Sequence, residues 1–142
     1  MNPIHTLLVE DNEGDICLTM EALGQWQNSN KTSVARDGKE AIDFLEKRGA
    51  YENAGIPDLI LLDVNLPKKN GHEVLQYIKR SDQLKHIPVI MLSTSSSEKD
   101  ILQSYENYAN CFITKPAELE TFFKVVAGIE QFWISIAKLP KK

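Results

Sequence analysis

The chain has 142 residues, 42% apolar and 25% charged, with a formal net charge of −4. That length supports one hydrophobic core without disulfides or a structural metal, and no apolar run approaches the roughly 18 residues of a membrane span. Nucleic-acid binding needs clustered Lys and Arg; the one basic cluster, Lys138, Lys141 and Lys142, is too small, so no nucleic-acid partner is expected.

The opening, MNPIHTLLVEDN, has no basic n-region and no cleavage site, so no signal peptide is expected. It carries the first of five apolar runs, HTLLV (5–9), which ends on Glu10 and Asp11. A segment of helical period follows over 14–26, with Ile16, Met20 and Leu23 on one face. Next come KTSVA (31–35) and a second helical segment over 38–48, with Ala41, Ile42 and Leu45. The irregular stretch GAYENAGIP (49–57) leads into LILL (59–62). A continuous apolar run of that kind reads as a strand buried on both faces, and it ends on Asp63. Pro67 stops the strand, Lys68 and Lys69 read as solvated loop charges, and Gly71 gives the backbone freedom to turn into a third helix over 71–80. PVIML (88–92) ends on Ser93, Thr94 and Ser95. A fourth helix is expected over 98–108 with Ile101, Leu102 and Tyr105 inward, and CFIT (111–114) ends on Lys115 and Pro116. Cys17 and Cys111 lie in apolar contexts without metal-ligand spacing. They read as reduced core residues, which fits a cytoplasmic protein.

Strict alternation of strand and helix predicts an α/β fold, a doubly wound parallel sheet with helices on both faces. Ligands of such sheets bind outside the carboxyl ends of the strands. Any one polar residue there is as readily a cap or turn residue; the argument rests on four strand ends being chemically apt together. Crowded carboxylates raise one another's pKa, and a hard divalent cation relieves them. Mg²⁺ takes one or two carboxylates and leaves room for phosphate oxygens. A carboxylate is a competent nucleophile toward phosphorus, and the transferred group needs a cation, a lysine and a hydroxyl around its oxygens. Asp63 fits the acceptor, Glu10 and Asp11 the Mg²⁺ ligands, and Lys115 with Ser93 the phosphoryl contacts.

With LLVEDN, LLDVNLPKKNGHEVL, PVIMLSTS and CFITKP in this order, residues 5–128 resemble the receiver domain of two-component response regulators. VEDNEGD, LPKKNGHEVL and the 49–57 loop resemble, more narrowly, the single-domain regulators paired with cyanobacterial phytochromes. The resemblance implies a flavodoxin-like sheet of order 2-1-3-4-5, phosphorylation of Asp63 by a sensor histidine kinase, and Asn65 as a metal ligand through its backbone carbonyl. It also implies Ser93 as the switch hydroxyl, and a cis peptide before Pro116. Glu10 departs from the commoner Asp, and Phe112 stands where many members carry a switch Tyr.

The receiver is expected over 1–128, with 129–142 as a helical extension of the same domain. A helix over 117–139 would place Leu119, Phe122, Phe123, Val126 and Ala127 on the core. Beyond them Ile129, Phe132, Trp133, Ile134, Ile136 and Leu139 spread around more of the helix than a surface stripe requires. Exposed aromatics imply a partner surface, so a homodimer is expected through Phe132, Trp133 and Ile136; the alternative is a tail folded back on its own domain. No effector domain is expected after Leu139, which points to a stand-alone regulator rather than an enzyme. The competing reading is a Mg²⁺-dependent phosphatase with an aspartyl nucleophile, but those usually carry a second Asp where this chain has Asn65. A nucleotide-binding module is disfavoured, because neither G-x-G-x-x-G nor G-x-x-x-x-G-K-[ST] is present.

Overall fold

The computed structural model describes residues 4–24, 31–95 and 97–140. The apolar runs form β1 (His5–Val9), β2 (Lys31–Ala35), β3 (Leu59–Asp63), β4 (Val89–Ser93) and β5 (Cys111–Thr114). They pair in parallel in the order β2-β1-β3-β4-β5, as expected. The connections are α1 (Glu13–Ala22), α2 (Gly38–Leu45), α3 (Gly71–Arg80), α4 (Glu98–Glu106) and α5 (Leu119–Ile129). The expected end of the first helix at Trp26 lies outside the described residues. No helix among the described residues is long and apolar enough to cross a membrane.

Period-two alternation sends successive strand residues to opposite cores. Leu7, Val9, Ile60, Leu62, Val89 and Met91 pack with Phe44, Leu45, Val74, Leu75 and Ile78 of α2 and α3. Leu8, Leu59, Leu61, Ile90 and Leu92 pack with Ile16, Phe122, Val126 and Ile129 of α1 and α5. β3 and β4 are buried on both faces, which is why their sequences are continuously apolar. The 49–57 stretch holds a 3₁₀ turn at Gly49–Tyr51. There the Tyr51 ring sits 5.2 Å from Phe44, and its hydroxyl donates to Glu40.

Five expectations are corrected. Cys17 is exposed on α1 rather than in the core, and Cys111 is only half-buried. In α4, Leu102 and Tyr105 face solvent; the small Ser104 is the buried residue and lets the helix seat closely. In α5, Leu119 and Phe123 are exposed, and Phe122, Val126 and Ile129 form the inward stripe at i, i+4, i+7. The helix is not one α-helix to Leu139. After Ile129 it widens into a π-helix over Glu130–Ile136, closed by the Ala137 N–H donating to the Phe132 carbonyl. Trp133, Ile134 and Leu139 then pack on the α1/α5 core, so Trp133 belongs partly to its own domain, while Phe132 (52% exposed) and Ile136 (61%) do not. The fold-back and exposed-stripe readings of the tail each describe part of it. No peptide among the described residues is cis, so the bond before Pro116 is trans.

Gly71 matters for proximity rather than for a left-handed turn. Its N–H donates to the Val64 carbonyl, and an added Cβ would stand 2.3 Å from the Asp63 carbonyl oxygen. Asn70 and Glu73 close a capping box around this start, fixing α3 directly beneath the end of β3. Gly71→Ala should lower stability by roughly 1–3 kcal/mol. Gly128→Ala, in open space on α5, should be neutral or stabilising by up to about 1 kcal/mol. Urea unfolding of the two variants checks the contrast, and equal effects would contradict it.

Candidate functional site

Register brings the polar strand ends to one edge. Val9 pairs with Leu62 and Asp63 with Leu92, so Glu10 and Asp63 flank the β1/β3 junction where strand order reverses. Ser93 pairs with Thr114, which puts Lys115 just past β5. The Lys115 N–H donates to the Ser93 carbonyl at 2.6 Å, tying the loop after β5 to the end of β4.

From there the Lys115 side chain, 4% exposed, crosses the end of β4 to the carboxylates. Its ammonium donates to Glu10 Oε1, to Asp63 Oδ2 at 3.1 Å and to Asp15 Oδ2 at 3.1 Å. The second Asp63 oxygen accepts the Asn65 N–H at 3.1 Å. Glu10 Oε2 accepts the N–H groups of Asp11 and Asn12. Glu10, Asp11 and Asp63 each offer an oxygen within 4.8 Å of the others; Glu10 and Asp63 are buried and Asp11 is exposed. Hard oxygen donors at that spacing suit a hard divalent cation.

Burial, followed by the hydrogen bond and charge of Asp63, pushes the Glu10 carboxyl up to about 7, against the opposing pull of Lys115. For Lys115, burial works against the charged form, but Glu10 and Asp63 together outweigh it and hold the ammonium above its usual range. The site is thus a negative cluster held by one lysine.

Glu10, Asp11, Asp63 and Lys115 come together as the strand ends implied, with Asn65 on the adjoining loop. Ser93 is fully buried, and its hydroxyl accepts the Ser95 N–H at 3.1 Å. Phe112 lies mid-strand opposite Met91, half-buried against the α2/α3 core, and its N–H donates to the Tyr105 hydroxyl. Asp15 carries no assignment in the sequence reading, although VEDNEGD ends on it. Its one signal is its place four residues after Asp11, in the first turn of α1, where an acid is ordinary on dipole grounds alone. His72 was also missed: it is buried at the start of α3, and its Nε2 lies 3.1 Å from Asp100 of α4.

A doubly wound sheet of this order, carrying clustered acids and one lysine at its carboxyl edge, defines a receiver. The response regulator receiver domain family matches residues 6–127, and the chain belongs to that family. It is 48% identical over 134 residues to response regulator Rcp1 of Synechocystis sp., spanning 94% of this chain and 91% of that protein. It is 38% identical over 141 residues to the probable methanogenesis regulatory protein FilR2 of Methanothrix harundinacea, spanning 98% and 89%. Among solved structures, the phosphorylated cyanobacterial phytochrome response regulator RcpA superposes with a TM-score of 0.95 at 51% identity, covering 99% of this chain and all of that one. The Mn²⁺-bound form of Rcp1 superposes at 0.93 and 47% identity, covering 98% of this chain and all of that one.

The raised Glu10 carboxyl sets a pH dependence. Folded Glu10 keeps its proton to about pH 7, whereas the ordinary value is 4.5. Between those values the folded state binds more protons than the unfolded one, so stability falls as pH rises, by on the order of 3 kcal/mol at most. In EDTA, Glu10→Gln should flatten that fall in denaturant melts run from pH 5 to 8. Identical slopes in the parent and the variant would contradict it.

Proposed function

We propose that the protein is a phosphoacceptor regulator that takes a phosphoryl group on Asp63 from a sensor histidine kinase of the phytochrome type and signals by protein contacts. The observation that carries this reading is the Asp63 carboxylate, held at the end of a fully buried strand, 3.1 Å from the Lys115 ammonium and within reach of Glu10 and Asp11. Identity to Rcp1 and likeness to phosphorylated RcpA support the kinase class.

Glu10, Asp11 and Asp63, with the Asn65 carbonyl, would hold Mg²⁺, which supplies charge neutralisation for the phosphoryl oxygens when bound. One Asp63 oxygen forms a bond to phosphorus while the phosphorus–nitrogen bond of the phosphohistidine breaks. The bonding pair stays on the imidazole nitrogen, which takes up a proton. Rigid β-structure aims the carboxylate, and Lys115 moves its hydrogen bond from the Asp63 oxygen to a phosphoryl oxygen. Ser93 contributes its hydroxyl once the Ser95 N–H releases it, and Phe112 responds through the contact of its backbone with Tyr105. Hydrolysis returns the carboxylate. No second acid follows at Asn65, which favours this over phosphatase turnover. Two free cysteines and the family fit a cytoplasmic setting.

Residues 129–142 serve as an extension of the receiver, and Phe132 and Ile136, left exposed beyond α5, favour a symmetric homodimer. Phe132→Glu with Ile136→Glu should sediment as a monomer at tens of micromolar while still accepting phosphate; a parent protein that is already monomeric there would overturn the dimer.

Asp63→Asn should abolish acid-labile labelling from acetyl phosphate or a phosphorylated phytochrome kinase while leaving the fold intact by circular dichroism. Acid-stable label on Ser93 or Thr94 in its place would sink the assignment.

A further inference from the structure

We propose that Asp15 is a positioning residue for phosphorylation: it holds the Lys115 ammonium over Asp63 from outside the cation-binding set. The inference rests on the phosphoacceptor reading of Asp63. A lysine ammonium has three N–H donors, and here the three partners are Glu10, Asp63 and Asp15. The first two are also the buried oxygen donors grouped with Asp11, where a divalent cation would bind; Asp15 is outside that group. A bound cation therefore competes with Lys115 for two of its three partners and leaves the third alone. Phosphorylation takes away a further one, because the Asp63 carboxylate becomes an acyl phosphate. Through both changes, Asp15 is the carboxylate that stays with the ammonium.

Asp15 is placed for this task. Its backbone N–H donates to the Asn12 side chain at 2.9 Å, in the cap that fixes the first turn of α1. Its side chain is 28% exposed, and it reaches a Lys115 side chain that is 4% exposed. Lys115 has its own backbone pinned to Ser93. The flexible four-carbon stem is thus tied at its root to β4 and at its tip to α1.

Acetyl phosphate labelling at saturating Mg²⁺, with the parent and Asp63→Asn run alongside, tests this. Asp15→Ala should label roughly tenfold more slowly, with Mg²⁺ affinity by calorimetry unchanged. Asp15→Asn, which keeps an acceptor oxygen, should recover most of the rate. Asp15→Ala combined with Lys115→Ala should be no slower than Lys115→Ala alone, because Asp15 acts through Lys115. Labelling of Asp15→Ala at the parental rate, or strictly additive losses in the double variant, would overturn the proposal. So would a loss of Mg²⁺ affinity matching the loss of rate, which would make Asp15 a cation ligand. If the parent is labelled and Asp63→Asn is not, such a failure counts against Asp15 alone; a parent that takes no label counts against both readings.

Discussion

One ammonium held among three carboxylates is the interaction on which the carboxyl edge of this sheet depends. Lys115, Glu10 and Asp63 are all buried, and a buried charge left without a partner is costly. Burial, followed by the neighbouring Asp63, outweighs what Lys115 neutralises, and the Glu10 carboxyl keeps a proton to about pH 7. The edge is therefore poised: a divalent cation or a rearranged lysine can each take up the charge that the proton now covers.

The rest of the fold aims that edge. Strand order sets β1 against β3, so the two buried acids meet at the junction, and β5 delivers the lysine from two strands away. Gly71 brings the start of α3 against the Asp63 carbonyl, and Gly38 does the same for α2, where an added Cβ would stand 1.9 Å from the Lys69 carbonyl oxygen. Both helices are thus tied to the loop that follows Asp63. On the far side, the His72–Asp100 pair links α3 to α4, and the Phe112 N–H to Tyr105 contact links α4 to β5. Asp63, α3, α4 and β5 are thus joined in one chain of contacts beside the face that exposes Leu102 and Tyr105.

The parallel sheet was legible because burial on both faces leaves unbroken apolar runs, as in 59–62 and 88–92, and because four runs stop on Glu10, Asp63, Ser93 and Lys115. Asp15 was not, since an acid in a first helical turn has an ordinary explanation and only the reach of Lys115 gives it another. Helix phase was harder still. Leu119 or Phe122, and Leu102 or Ser104, could each have faced inward; packing against the sheet chose Phe122 and Ser104. The π turn over Glu130–Ile136 depends on seating Trp133 and Ile134 on the core, a demand that no local pattern announces.

The central claim is that Lys115 holds the carboxylates together, and its removal tests that claim most directly. Urea unfolding of Lys115→Met in EDTA, at pH 5.5 and pH 8, is the measurement. At pH 8 the variant leaves the Glu10 carboxyl either charged without its lysine or holding a proton that the parent has given up, and it should lose about 3–5 kcal/mol relative to the parent. At pH 5.5 the Glu10 proton takes over part of the lysine's role, so the loss should be clearly smaller. A loss of the same size at both pH values, or none at pH 8, would contradict the account.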